Sequence, residues 1–328
     1  MTVQQRSKPD PVGAESGLVV FSGTSSMALT TRICEYLGIE RGPAVSTKFP
    51  DGETLVKLDA DVRSQDCFVV QSTGPPQNDN LMELLIFIDC LRRASARRIT
   101  AVLPYYGYAR QDRKSEGRTP ITAKLVANML ATAGADRVLT MNLHADQIQG
   151  FFDIPLDHLT AAAVLAGHFI DRKWNDGVVV SPDLGNIKFA SEFAQRTGCE
   201  LAIVHKRRVA GDSTEAVNLI GSVEGKKVMM FDDMITTAGT VTSAAQMLRG
   251  HGAKEIYVAA THGVFAGPAL ERLSSAGFDE IVVTDTIPIQ PEIQKTLTNL
   301  KVLSVAPLIG EAIRRIHEHK SVSALFEN

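Results

Sequence analysis

Residues 228–240 read VMMFDDMITTAGT: an apolar run, two adjacent carboxylates, then small and hydroxylated residues. A parallel strand ending at Phe231 would deliver Asp232 and Asp233 to the edge where α/β folds place ligands. Two carboxylates are not buried there without partners; the vicinal hydroxyls of a ribose, or a metal ion, would supply them. Thr236, Thr237, Ala238, Gly239 and Thr240 then offer hydroxyls and backbone N–H groups at a helix start, which suits a phosphate dianion. An ordinary helix N-terminus capped by Thr and Asp has the same letters.

Other stretches add charge at other strand ends. HKRR (205–208) places Lys206 and Arg208 where they either form a solvated basic cluster or neutralise charge in phosphoryl transfer. SPDLGN (181–186) brings Asp183, and by itself reads as an Asx-type turn. FPDGET (49–54) sets Asp51 and Glu53 around a tight turn at Gly52, and YARQDRK (108–114) gathers cations beside an aromatic, a set that fits adenine and polyphosphate. NLHADQ (142–147) carries His144 at a strand end, open to a metal, a phosphate or a structural role. No Walker A loop is present.

These residues need strands to position them, and the chain supplies short β-branched runs alternating with helical patterns. GLVVFSG, CFVVQST, RITAVLPYY, RVLTMNLH, GVVVSPD, LAIVHK, KVMMFDD, EIYVAATHG and EIVVTDT read as strands covered on both faces of parallel sheets. TPITAKLVANMLATAG, KFASEFAQRTG and TVTSAAQMLRGHG read as helices ending near glycine. The chain also repeats itself: ANMLATAGADRVLTMNLHA (127–145) aligns without gaps to AQMLRGHGAKEIYVAATHG (245–263), pairing Leu130 with Leu248, Ala135 with Ala253 and His144 with His262. Two copies of one fold, with a boundary near residue 160, account for that. EAIRRIHEHKSVSALF (311–326) reads as a helix and an extended tail.

The 328 residues suffice for about two domains, and 44% hydrophobic with 22% charged residues is a normal globular composition. A net charge of −3 argues against general nucleic-acid or anionic-membrane binding. The four cysteines form no CxxC pair, so neither a zinc knuckle nor a disulfide framework is expected, and a reducing cytoplasm is the natural home. The polar start lacks a signal-peptide core, and residues 1–16 read as a disordered arm.

FPDGET, YYGYARQDRK, TAKLVANML, LHADQIQGFFDIPLDHL, VSPD, HKRR, DDMI, AGT, THGVFAGPA and SVSALF occur in this order. Together they resemble the ribose-phosphate diphosphokinase (phosphoribosyl pyrophosphate synthetase) family from about Gly17 to Phe326. The resemblance implies an α/β fold of two tandem phosphoribosyltransferase-like domains, each with a mainly parallel sheet flanked by helices. Residues 17–160, completed by 310–328, would form the ATP side and 161–309 the ribose 5-phosphate side. It further implies transfer of the β,γ-diphosphoryl group of Mg-ATP to the C1 hydroxyl of ribose 5-phosphate, giving phosphoribosyl pyrophosphate and AMP. Phe49, Asp51, Gly52, Glu53, Arg110, Gln111 and His144 match ATP-binding positions, while His144 and Asp183 match Mg2+ ligands. Lys206 and Arg208 match catalytic positions. Arg208, Asp232, Asp233 and Thr236–Thr240 match the ribose 5-phosphate site, and Arg63, Ser321 and Ser323 resemble positions near a regulatory site. A hexamer built from dimers, alone or with a paralogue, and phosphate and ADP as effectors are also implied.

Three positions depart from that pattern: Asn142 replaces an aspartate, Asn186 a glycine and Thr236 an aspartate. They keep two other readings open, a catalytically weak or inactive regulatory paralogue and a phosphoribosyltransferase. The second fits Thr236 but leaves FPDGET, YARQDRK and the repeat without a task.

Overall fold

Each of the nine apolar runs forms a strand, and the two large sheets are parallel throughout except at one edge of the second. The computed structural model describes residues 17–170, 174, 177–182, 187–208 and 215–325. The chain divides into two units, Met1–Thr160 with Val305–Asn328, and Ala161–Ser304.

The first unit runs β1 (Leu18–Ser22), α1 (Met27–Leu37), β2 (Ala44–Lys48), β3 (Thr54–Leu58), β4 (Asp66–Val70), α2 (Gln77–Arg93), β5 (Arg98–Leu103), α3 (Thr122–Ala133), β6 (Arg137–Met141) and β7 (Leu156–Leu159). Its sheet has the order β1-β4-β5-β6-β7, with all pairs parallel. Strand β4 is buried along its whole length, as a strand covered on both faces must be. β2 and β3 form a separate antiparallel hairpin. Sequence periodicity did not reveal it, because β3 packs on α2 while much of the hairpin stays exposed, and only Val56 is fully buried.

The second unit continues with α4 (Ala162–Ile170), β8 (Val178–Ser181), α5 (Ile187–Thr197), β9 (Glu200–Arg208), β10 (Glu215–Ile220), β11 (Lys227–Ile235), α6 (Gly239–Gly250), β12 (Glu255–Gly263), α7 (Ala269–Ser275), β13 (Glu280–Thr284), α8 (Pro291–Thr296) and β14 (Leu300–Leu303). The sheet order is β10-β9-β8-β11-β12-β13-β14, antiparallel only at β10. The repeat seen in sequence is closed alike in both units. Ala135 N–H donates to the Leu130 carbonyl and Ala253 N–H to that of Leu248, each at 3.1 Å, across Gly134 and Gly252, both at positive φ.

α9 (Ala306–His317) then returns to the first unit and packs on α1. It starts at Ala306, five residues before the Glu311 read from sequence, with a proline in its first turn. Ile309, Ile313 and Ile316 form its buried stripe. Gly310 allows the helices to close, since a Cβ there would lie 2.6 Å from the Tyr36 ring. The helix end is held by charge. Asp66, only 1% exposed, accepts Arg98 Nε at 2.8 Å and His317 Nδ1 at 2.8 Å, and Arg98 Nη2 also reaches the Ile316 carbonyl at 3.0 Å.

Burial alone would push the Asp66 carboxyl up, but hydrogen bonds and charge from His317 and Arg98 hold it below its ordinary value. The clamp therefore stabilises the fold fully above roughly pH 4, the ordinary aspartate range, and loses that contribution as pH falls through the depressed folded-state value. Asp66→Asn should cost about 3 kcal/mol in urea unfolding at neutral pH by leaving Arg98 without its carboxylate. The variant should also show a flatter acid limb than the wild-type chain; equal stability of the two across pH 3–7 would remove the clamp from the account.

Candidate functional site

In the second unit, the strand carrying the adjacent carboxylates does not stop at Phe231. It pairs with β12 through Ile235, because β12 itself continues alongside to Gly263. Asp232 and Asp233 therefore sit inside the ladder, each only 8% exposed, and the Asp232 carboxylate accepts the Asp233 N–H at 2.8 Å. Beneath them Phe231 stacks on Phe193 with centroids 4.3 Å apart, an apolar floor that fixes the strand from one side.

Directly after the strand, Thr236 and Thr237 lead to Ala238, which takes a left-handed backbone (φ 60°) and opens α6. The first helix amide to find a carbonyl inside the helix start is that of Thr242, bonded to Ala238 at 3.0 Å. The Gly239, Thr240 and Val241 N–H groups precede it at the positive end of the helix dipole, the arrangement that receives an anion. The turn is braced from behind. Ala266 N–H donates to the Thr236 carbonyl at 2.8 Å, and Phe265 N–H to that of Ile235 at 3.1 Å. Arg272 Nη1 holds the Thr237 carbonyl at 3.0 Å. Sequence reasoning singled out THGVFAGPA without giving it a task and missed Arg272; the bracing is a tertiary contact with no local signature. His262, the repeat partner of His144, is buried with Nδ1 2.9 Å from the Thr286 hydroxyl.

Lys206 and Arg208 lie on β9, opposite Val217 and Glu215 of β10, while their side chains fall outside the described residues. Asp183 and Asn186 lie wholly outside them, as do residues 1–16.

In the first unit, Phe49, Asp51, Gly52 and Glu53 form the exposed tip between β2 and β3. Phe49 N–H donates to the Glu53 carbonyl at 2.8 Å, and Gly52 (φ 95°) makes the reversal that a side chain would strain. Arg110 and Gln111 sit in the connection from β5 to α3, where Gln111 Oε1 accepts the Thr122 hydroxyl at 2.5 Å. His144 is exposed on the loop after β6. A bond of 3.0 Å from Gln147 to Asp112 joins that loop to the Arg110–Gln111 connection. Among the described residues, no hydrogen bond joins the hairpin tip to Arg110 or Gln111. Asn142 takes a left-handed backbone (φ 39°), a conformation that asparagine and aspartate tolerate better than most residues. Ser321 and Ser323 line a cavity of about 740 Å³ in this unit together with Arg98, Arg137, His158 and Lys320. Arg63 lies in the β3–β4 connection and is absent from that lining.

No group of three or more His, Cys, Asp or Glu among the described residues forms a preformed metal cage. Mg2+ keeps several waters and binds through one or two protein groups plus substrate phosphates, so a sparse donor set fits it.

A parallel strand that carries two buried adjacent carboxylates and runs into a hydroxylated helix start defines an α/β protein whose ligand edge lies at the carboxyl ends of its strands. A family model described as the N-terminal domain of ribose phosphate pyrophosphokinase matches residues 18–134, and one described as the phosphoribosyl synthetase-associated domain matches residues 208–327. The chain is 57% identical over 312 residues to the ribose-phosphate pyrophosphokinase of Rhodopirellula baltica, covering 94% of this chain and 98% of that one. It is 51% identical to the Gloeobacter violaceus protein of the same name, covering 98% and 97%. The crystal structure of phosphoribosylpyrophosphate synthetase from Mycobacterium smegmatis superposes with a TM-score of 0.86 at 44% identity, covering 92% of this chain and 99% of that one. The chain belongs to the ribose-phosphate pyrophosphokinase family.

Ala238→Val would force a β-branched residue into the left-handed position and should lower stability by about 1–2 kcal/mol in urea unfolding, whereas Ala238→Gly should not. Equal effects of the two would mean that the backbone angle is not what the position selects.

Proposed function

We propose that this chain is itself an active ribose-phosphate diphosphokinase. The C1 hydroxyl oxygen of ribose 5-phosphate attacks the β-phosphorus of Mg-ATP. A bond forms from that oxygen to Pβ, the bond from Pβ to the oxygen bridging it to the α-phosphate breaks, AMP leaves with that oxygen, and the hydroxyl proton passes to solvent. The observation that carries the reading is the braced phosphate turn of the second unit, just after Asp232 and Asp233, in a chain that also has the FPDGET and YARQDRK loops.

In this reading the turn Thr236–Thr240 grips the 5-phosphate through the amides at the start of α6. Asp232 and Asp233 hold the ring hydroxyls. Lys206 and Arg208 neutralise the transferring diphosphoryl group, and Phe49, Asp51, Gly52, Glu53, Arg110, Gln111 and His144 receive ATP. Bound Mg2+, held by His144 and Asp183, would supply charge neutralisation at the phosphate oxygens. Such catalysis rests on positioning and electrostatics rather than covalent chemistry. The left-handed backbone of Asn142 and the bracing of the Thr236 carbonyl give two of the three departures a backbone task that either residue type can perform, which favours activity over a silent paralogue.

The cavity lined by Ser321 and Ser323 supports a regulatory anion site, with phosphate and ADP as the effectors the family resemblance implies. The same resemblance points to a hexamer built from dimers, working in the cytoplasm. No described helix is long and apolar enough to cross a membrane.

AMP formation from Mg-ATP, with and without ribose 5-phosphate, tests the activity on purified protein. We expect sugar-dependent AMP that falls about 10²–10³-fold in Lys206→Ala. A folded, ATP-binding chain that makes none would be the regulatory paralogue, and base-dependent pyrophosphate release would indicate a phosphoribosyltransferase. Replacing Ser321 and Ser323 together by alanine should raise the phosphate concentration needed for half-maximal response about tenfold, as the loss of two hydroxyl contacts of ordinary strength would do.

A further inference from the structure

Arg272 on α7 is exposed, yet its guanidinium has a fixed place. Nη1 donates to the Thr237 carbonyl at 3.0 Å. The same nitrogen lies against Gly239, where a Cβ would come within 3.1 Å of it. Backbone bonds tie the helix that carries it to the turn. Ala266 N–H reaches the Thr236 carbonyl at 2.8 Å, Ala269 N–H the Ala266 carbonyl at 3.3 Å, and Arg272 N–H the Pro268 carbonyl at 3.1 Å. The peptide held by Arg272 is the one entering Ala238, whose φ of 60° is unfavourable for a residue with a side chain. The carbonyl and N–H of a trans peptide point in opposite directions, so the Ala238 N–H faces away from the guanidinium. Ala238 is only 5% exposed, and among the described residues no hydrogen bond takes that N–H.

We propose that Arg272 is a positioning residue for the 5-phosphate, acting by fixing the Thr237–Ala238 peptide so that the Ala238 N–H joins those of Gly239, Thr240 and Val241 on the anion; this rests on the 5-phosphate role proposed for the turn. Turning that peptide over would return Ala238 to negative φ and relieve its left-handed backbone. It would also put the Thr237 carbonyl where the N–H now stands. A dianion gains from an N–H and is repelled by a carbonyl oxygen, so only the present orientation serves it. The charge-assisted bond from Arg272 opposes the flip. Alanine at 238 favours the flip by about a factor of ten, the ordinary cost of a left-handed residue. Without Arg272, about a tenth of the chains would then present the amide, and the apparent affinity falls in proportion. Glycine at 238 carries no such preference, so about half would still present it. The 5-phosphate is remote from C1 and is held alike before and during transfer, so the loss falls on KM rather than kcat.

A double-mutant cycle tests this, read by initial rates of AMP formation at varied ribose 5-phosphate and saturating Mg-ATP on the full chain. Arg272→Ala should raise KM for the sugar phosphate about tenfold with little change in kcat. In the Ala238→Gly background the same substitution should raise KM only about twofold. Hydrogen exchange of the wild-type chain is a second readout that needs no variant; ribose 5-phosphate should slow the Ala238 amide severalfold. An unchanged KM in Arg272→Ala, or an Ala238 amide that the sugar phosphate leaves unprotected, overturns this role for Arg272. An equal rise in both backgrounds overturns it too, since Arg272 would then be a plain positive charge near the phosphate. Calorimetric binding of ribose 5-phosphate carries the same cycle in a chain that makes no AMP, so loss of the enzyme reading leaves this role decidable. A wild-type chain that binds no ribose 5-phosphate overturns the reading of the turn as well.

Discussion

Parallel pairing is the constraint on which the rest of this protein depends. Strands that run the same way must be joined by crossovers, and their carboxyl ends collect along one edge of the sheet. In the first unit that edge gathers the turn after β4, the Arg110–Gln111 connection and the His144 loop. In the second it gathers Asp232, Asp233, the Thr236–Thr240 turn and the THGVFAG segment. Residues far apart in sequence become neighbours at these edges without any of them needing to specify the others. Each sheet has only to bury its strands correctly, and hydrophobic burial does so without direction.

Polar groups inside such a sheet must be answered locally. Asp66 is answered by Arg98 and His317, and the answer comes from the far end of the chain, so the first unit is completed only when α9 has docked. This clamp and the Ile309–Ile313–Ile316 stripe do different work. The stripe supplies area removed from water, while the charged contacts fix where along α1 the helix comes to rest and leave His319 to Ser323 as a wall of the cavity. Breaking one partner leaves a buried charge, which is why such a clamp discriminates sharply against a misplaced helix.

The duplicated helix–strand unit shows how one local structure serves two ends. Leu130–Ala135 and Leu248–Ala253 close their helices by the same bond at the same distance. Further along each copy, the matched histidines part company. His262 is buried against Thr286, and His144 is exposed on a loop whose preceding amide is held by His158. The divergence arises from the length of each strand. β12 continues to Gly263 beside β11 and takes its histidine into the sheet, whereas β6 stops at Met141 and Asn142 turns the chain outward.

By itself, the sequence determined the parallel α/β class, the nine apolar strands and the repeat, because burial on both faces writes a continuous apolar run into each strand. It also marked the Thr236–Thr240 turn, whose small residues suit the tight entry into α6. It did not show the β2–β3 hairpin or β7, whose short, half-exposed strands carry little periodicity. Nor did it show that the carboxylates lie within the ladder rather than beyond it, since that depends on how far β12 extends. Arg272 on the Thr237 carbonyl, His158 on the Leu143 amide and His317 on Asp66 were decided only by tertiary structure. Each joins residues at least 15 positions apart, and a hydrogen bond between distant residues leaves no pattern in either stretch of sequence.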